Sequence, residues 1–102
     1  MKTIEAKEVL AITAKTKPGH YCFMLVPDAV RGGVRIGGFQ FKCPCGCGET
    51  LVLPIRPHDK DEMSWDLLGS REKPTLNPMI DYRGHWHGSL VEGKWTKIDV
   101  PG

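Results

Sequence analysis

A chain of 102 residues with a formal net charge of +2, 40% hydrophobic residues, 12 glycines and 8 prolines has the size of one domain, with a modest core and many turns. The charge is too small and too evenly spread to imply a polyanionic partner or a basic tail. No segment has the length and apolarity of a membrane-spanning helix, and the N-terminal MKTIEAKEVLAITAK carries charges every few residues, unlike a signal peptide. These features place the chain in the cytoplasm, where clustered thiols more often bind metal than pair as disulfides.

In chain order, TIEAKEVLAITA (3 to 14) satisfies helical and strand periodicity about equally, so a short N-terminal helix and an opening strand both stand. HYCFMLV (20 to 26) is a compact apolar run rich in strand formers that ends at a Pro-Asp turn starter, which predicts a buried strand. VRGGVRIGGFQFKC sets two Gly-Gly pairs among alternating Val34, Ile36, Phe39 and Phe41, as a hairpin or a bulged strand would. TLVLPI (50 to 55) is another strand, so the cysteine-rich loop lies between two strands. RPHDKDE (56 to 62) reads as a solvated loop and MSWDLL (63 to 68) as a short apolar segment. The prolines at 74 and 78 confine GSREKPTLNPMIDY to an edge strand or an extended loop. The final third carries a hairpin, with Leu90 and Val91, a Glu92-Gly93 turn, then Trp95 and Ile98. The sum is a mainly β, single-domain antiparallel sheet over residues 1–102, with no internal repeat.

The run FKCPCGCGET places Cys43, Cys45 and Cys47 at alternate positions, separated by proline and glycine. Thiols two residues apart rarely meet the geometry of a disulfide. Tight turns at glycine and proline do let them converge on one tetrahedral Zn²⁺, with each sulfur at about 2.3 Å. Downstream, His85 and His87 flank Trp86, and in an extended strand residues two apart share a face. Thiolates from one loop and imidazoles from another make the Cys₂His₂ and Cys₃His sets of structural zinc sites. Cys43, Cys45, Cys47, His85 and His87 are therefore five candidates for four places, and the sequence leaves open which is spare. Such a clip closes a segment of nearly forty residues and staples a small fold. Cys22 reads as a small buried hydrophobe, and His20 and His58 as loop histidines without assigned chemistry.

Four segments, CPCGCG (43 to 48), SWDLL, PTLNPMI (74 to 80) and HWHGSLVEGKW (85 to 95), resemble in type and order those of the DUF6527 family of small bacterial and phage proteins. The resemblance covers about residues 39 to 98. It implies a zinc site and a phage or prophage setting. Two departures stand out. The family pattern ends in Cys-x-His or a similar pair where this chain has His85-Trp86-His87, a change that keeps a zinc ligand. The serine of its PSI-like segment is Met79 here, so any role of that hydroxyl is absent.

Three functions fit these residues. The first is a structural zinc domain acting on a protein partner, a host protein in a phage setting, with Trp65, Trp86 and Trp95 either forming a binding face or packing the core. The second is a zinc hydrolase with an open fourth position, for which Glu49 and Asp81 are the available bases. The third is a nucleic-acid-binding zinc module using Arg31, Arg35 and Lys42, against which the low net charge and interspersed acids argue. The first is the expectation carried forward.

Overall fold

Side chains along an extended segment alternate between faces, and this determines which of them meet between two sheets. The computed structural model describes residues 3–56, 64–82 and 84–97. These form β1 (Thr3–Glu5), β2 (Tyr21–Pro27), β3 (Val34–Lys42), β4 (Thr50–Pro54), β5 (Asp66–Gly69), β6 (Pro74–Tyr82), β7 (Trp86–Val91) and β8 (Lys94–Lys97). One sheet has the order β1-β8-β7-β6-β5 and the other β2-β3-β4, and every strand pair is antiparallel. There is no helix among the described residues. Of the two readings of residues 3 to 14, the strand is therefore the one found, and only over Thr3–Glu5. The cause is the far end of the chain: Thr3, Ile4 and Glu5 pair with Thr96, Trp95 and Lys94, a partner that local periodicity does not reveal.

The two sheets face each other across one core. Tyr21, Phe39, Phe41, Leu53 and Ile55 come from the smaller sheet and its end, and Leu76, Ile80, Trp86, Leu90 and Trp95 from the larger. Trp95 is fully buried and sits at the junction, its ring centroid 4.8 Å from Phe41 and 6.4 Å from Trp86. Its indole Nε1 donates to the carbonyl of Gly19 at 2.8 Å, which satisfies the ring's one polar group inside the core. Gly19 has φ +80, and a Cβ there would press on that same indole at 2.8 Å, so glycine is needed twice over. Trp86 is buried too, and Trp65 packs against the cluster from its edge. The tryptophans thus fill the core and do not form an exposed binding face.

The edge or loop expected for residues 74 to 82 is not found: β6 lies between β5 and β7. Its prolines are accommodated individually. Pro74 opens the strand, with its carbonyl accepting from Gly93 N at 2.9 Å. Pro78 falls where the β6–β7 register breaks, between the Leu76–Leu90 and Ile80–Gly88 pairs, so it interrupts no regular ladder. The Gly-Gly segments behave as read: residues 28 to 33 turn the chain, with Asp28 Oδ1 accepting from Val30 N and Arg31 N, and β2–β3 carries an irregularity between Met24 and Leu25. From residue 57 the loop expected at 56 to 62, with His58, lies outside the described residues, as does Ile98.

An ion pair ties the irregular segment after β1 to the turn before β6. Arg71 Nε donates to Glu8 Oε1 at 2.8 Å and Nη2 to Oε2 at 2.7 Å, while the Arg71 carbonyl accepts the Tyr21 hydroxyl at 2.6 Å. The Arg71 hydrogen bond holds the Glu8 carboxyl below the usual glutamate range. A depressed folded pKa supplies stability above the unfolded value and loses it as pH falls through the folded one. Arg71→Gln is therefore expected to be slightly less stable than the wild type at neutral pH, the effect being small because the pair is solvent-screened. The two should converge as acid protonates Glu8, which urea titrations at neutral and acidic pH will show.

Candidate metal centre

The β3–β4 connection is built to gather sulfur, with Cys43 buried and Cys45 and Cys47 exposed. Cys43 N donates to the Glu49 carbonyl at 2.9 Å and Gly46 N to the Cys43 carbonyl at 3.1 Å, which folds residues 43 to 49 into a tight turn. Gly46 and Gly48 take φ of +90 and +87, a region that only glycine enters readily. Lys42, buried at the end of β3, reaches back so that its Nζ donates to the Gly48 carbonyl at 2.9 Å. Across from this turn, the β6–β7 connection closes with His85 N donating to the Tyr82 carbonyl at 2.8 Å. The Tyr82 ring stacks on the His85 imidazole, centroids 4.5 Å apart and planes at 17°.

These two turns bring Cys43, Cys45, Cys47 and His85 together, with one donor atom of each within 4.8 Å of all the others. Cys45 Sγ lies 3.2 Å from Cys43 Sγ and 3.5 Å from His85 Nδ1. A thiolate and an imidazole nitrogen on a tetrahedral zinc stand about 3.6 Å apart, so the second spacing suits a shared ion. The four cysteines, Cys22 included, are all free thiols. Burial pushes the Cys43 thiol up to about 12. Burial also acts to raise Cys45, but hydrogen bonds from Cys43 and Cys47 outweigh it and bring that thiol down. A packed thiol trio holds several thiolates only against a cation, and a metal ion supplies that charge. The donor set and spacing fit a metal ion.

His87 lies outside this cluster. It is a β7 residue whose Nδ1 is 3.4 Å from Asp81 Oδ1 on β6, its directly paired neighbour. The same-face expectation for the two histidines fails because His85 belongs to the turn before β7, and only from Trp86 onward does strand alternation apply. Glu49 is exposed in the cysteine turn, and Asp81 faces His87 and not the thiols. Cys22 is buried on β2 with its thiol donating to Gln40 Oε1 at 3.3 Å, away from the metal donors. Arg31 is exposed in its turn, while buried Lys42 serves the cysteine loop, so Arg31, Arg35 and Lys42 do not make one basic surface. Tyr82 is a supporting residue that sequence reading missed, and Lys42, read there as a nucleic-acid contact, holds the cysteine loop instead. Their signals were a lysine abutting the first cysteine and an aromatic three residues before a histidine.

The profile of a family described as "Bacterial ubiquitination-like system serine protease (BubE)" matches residues 8–98. The chain belongs to that family. The BubE match spans the β2–β3–β4 sheet, the cysteine turn and the β6–β7 connection, so both halves of the metal centre fall inside it. Comparison with curated proteins and with solved structures finds no match.

Proposed function

We propose that this BubE-family chain is a zinc-stapled β-domain that engages a protein partner, the ubiquitin-like protein of a bacterial ubiquitination-like system or its conjugates. The carrying observation is the four-donor cluster of Cys43, Cys45, Cys47 and His85, drawn from turns on both sheets. Three sulfurs and one imidazole suit Zn²⁺ among the divalent ions, and four protein donors complete a tetrahedral shell. That closed set leaves no place for substrate water, which weighs against a zinc hydrolase. When bound, the ion supplies cross-linking and charge neutralisation. Cys43, Cys45 and Cys47 supply sulfur, His85 supplies Nδ1, Tyr82 braces the imidazole ring and Lys42 fixes the loop. The DUF6527 resemblance adds a phage or prophage setting, in which the partner belongs to the host.

Native mass spectrometry on protein purified without added metal should find one zinc per chain. Calorimetric titration of that protein with the system's ubiquitin-like protein should give saturable 1:1 binding, lost after chelation. A chain that folds without any metal would sink the zinc reading. A metal-loaded chain that ignores the ubiquitin-like protein would sink the choice of partner.

A further inference from the structure

The family description names a serine protease, and the outer face of the larger sheet holds part of such a machine. Along β7, Trp86, Gly88 and Leu90 point into the core, while His87 and Ser89 face outward. Along β6, Leu76 and Ile80 are buried, while Asn77, Met79 and Asp81 are exposed. Asp81 and His87 are cross-strand partners whose Oδ1 and Nδ1 lie 3.4 Å apart, the relation by which a carboxylate orients an imidazole for base catalysis. With Nδ1 on the Asp81 side of the ring, Nε2 is the nitrogen turned away from the carboxylate and left for a nucleophile.

No serine stands in that relation. Ser64 is buried, and its hydroxyl accepts from Arg56 Nε at 3.0 Å. Ser70 Oγ accepts from Lys73 N in an exposed turn. Ser89 follows His87 by two residues on the same strand, and no side-chain hydrogen bond joins them among the described residues. The position that strand register places beside the pair is on β6. Leu76 pairs with Leu90 and Ile80 with Gly88, so the three residues 77 to 79 bulge against Ser89 alone, just before Asp81. Bulges of this kind re-aim side chains and occur beside active sites. The residue this bulge presents is Met79, 44% exposed and two positions from Asp81 on the same face. It is also the position at which the PSI-like pattern carries serine. A thioether has no proton to give and cannot attack a carbonyl as an alkoxide does.

We infer that Asp81 and His87 are the orienting and base positions of a serine-nucleophile site whose nucleophile place is filled by Met79, so that this chain binds its ubiquitin-like partner without cleaving it. The inference rests on the partner reading above and adds a chemical prediction to it. Met79→Ser restores the missing group. Towards a fluorophosphonate probe, the new serine Oγ attacks phosphorus. A P–O bond forms as the P–F bond breaks, fluoride leaves, and the hydroxyl proton passes to His87 Nε2.

Intact mass measurement of the metal-loaded chain after exposure to a fluorophosphonate tests this. The wild type should stay unlabelled, Met79→Ser should gain one adduct at residue 79, and adding His87→Gln should slow labelling at least tenfold. Because Met79 is exposed, the variant should keep the fold and its metal, and metal content read from the same spectra verifies that. A metal-loaded Met79→Ser chain that takes no label overturns the inference. So does a labelled wild type whose adduct disappears in Ser89→Ala. Absence of zinc or of partner binding in the wild type would instead count against the proposed function, and it is read separately from the labelling.

Discussion

On the zinc-site reading proposed above, Cys43→Ser should leave a chain that neither retains its metal ion nor unfolds cooperatively. Cys43 is the most buried of the four donors, seated at the base of the cysteine turn next to Phe41 and the core cluster. Zinc binding in small structural sites is worth about 10 to 16 kcal/mol at neutral pH. The whole stability of a domain is about 5 to 15 kcal/mol, so loss of the ion is comparable with loss of the fold. A serine hydroxyl at the same place is a poor ligand and a buried polar group without its ion. The check is native mass spectrometry paired with thermal circular dichroism, with His87→Ala as control. That variant removes a histidine outside the cluster and should keep both metal and melt. A Cys43→Ser protein that is folded and zinc-loaded would show that the clip can be completed without its innermost sulfur.

Trp95→Ala carries the second largest expected effect, a loss of about 3 to 5 kcal/mol even with zinc saturating. The indole is fully buried between the sheets against Phe39, Phe41 and Trp86, and its Nε1 bond to Gly19 anchors the segment before β2. Alanine leaves a cavity where both sheets meet beside the segment that leads into β2. Trp95→Phe should recover part of the loss and still leave the Gly19 carbonyl without its donor, costing about 1 to 3 kcal/mol. Urea unfolding in excess zinc resolves the series, and Trp65→Ala, at the edge of the core, should rank well below Trp95→Ala.

The difference between those two tryptophans shows where sequence reading stops. Strand composition and turn residues pointed to an all-β fold, to a cysteine loop between two strands and to the terminal hairpin, because these are local features. Which tryptophan occupies the centre depends on how two sheets stack, and no local pattern encodes that. The β6 prolines misled for a related reason: they forbid regular pairing only at their own positions, and a register break beside Pro78 satisfies them inside a sheet. The candidate site divides in the same way. Thiol spacing carried the cysteines. The choice between His85 and His87 hinged on where a turn gives way to a strand, a one-residue question that reverses the direction of an imidazole. Asp81 stood in the sequence as a base for a metal-bound water, and its cross-strand register with His87 gives it a different neighbour.

The pairing of β1 with β8 has a consequence for how the chain is made. Residues 3 to 5 are made well before residues 94 to 96, the strand partner found for them among the described residues, so the earlier strand must wait for the later one. The cysteine turn waits similarly for His85. Contacts that span so much of the chain raise contact order and slow folding towards the millisecond-to-second range. For that interval the early β2–β3–β4 meander stands alone with its aromatic face uncovered. Newborn chains therefore pass through a stage in which chaperone capture, aggregation and degradation compete with closure.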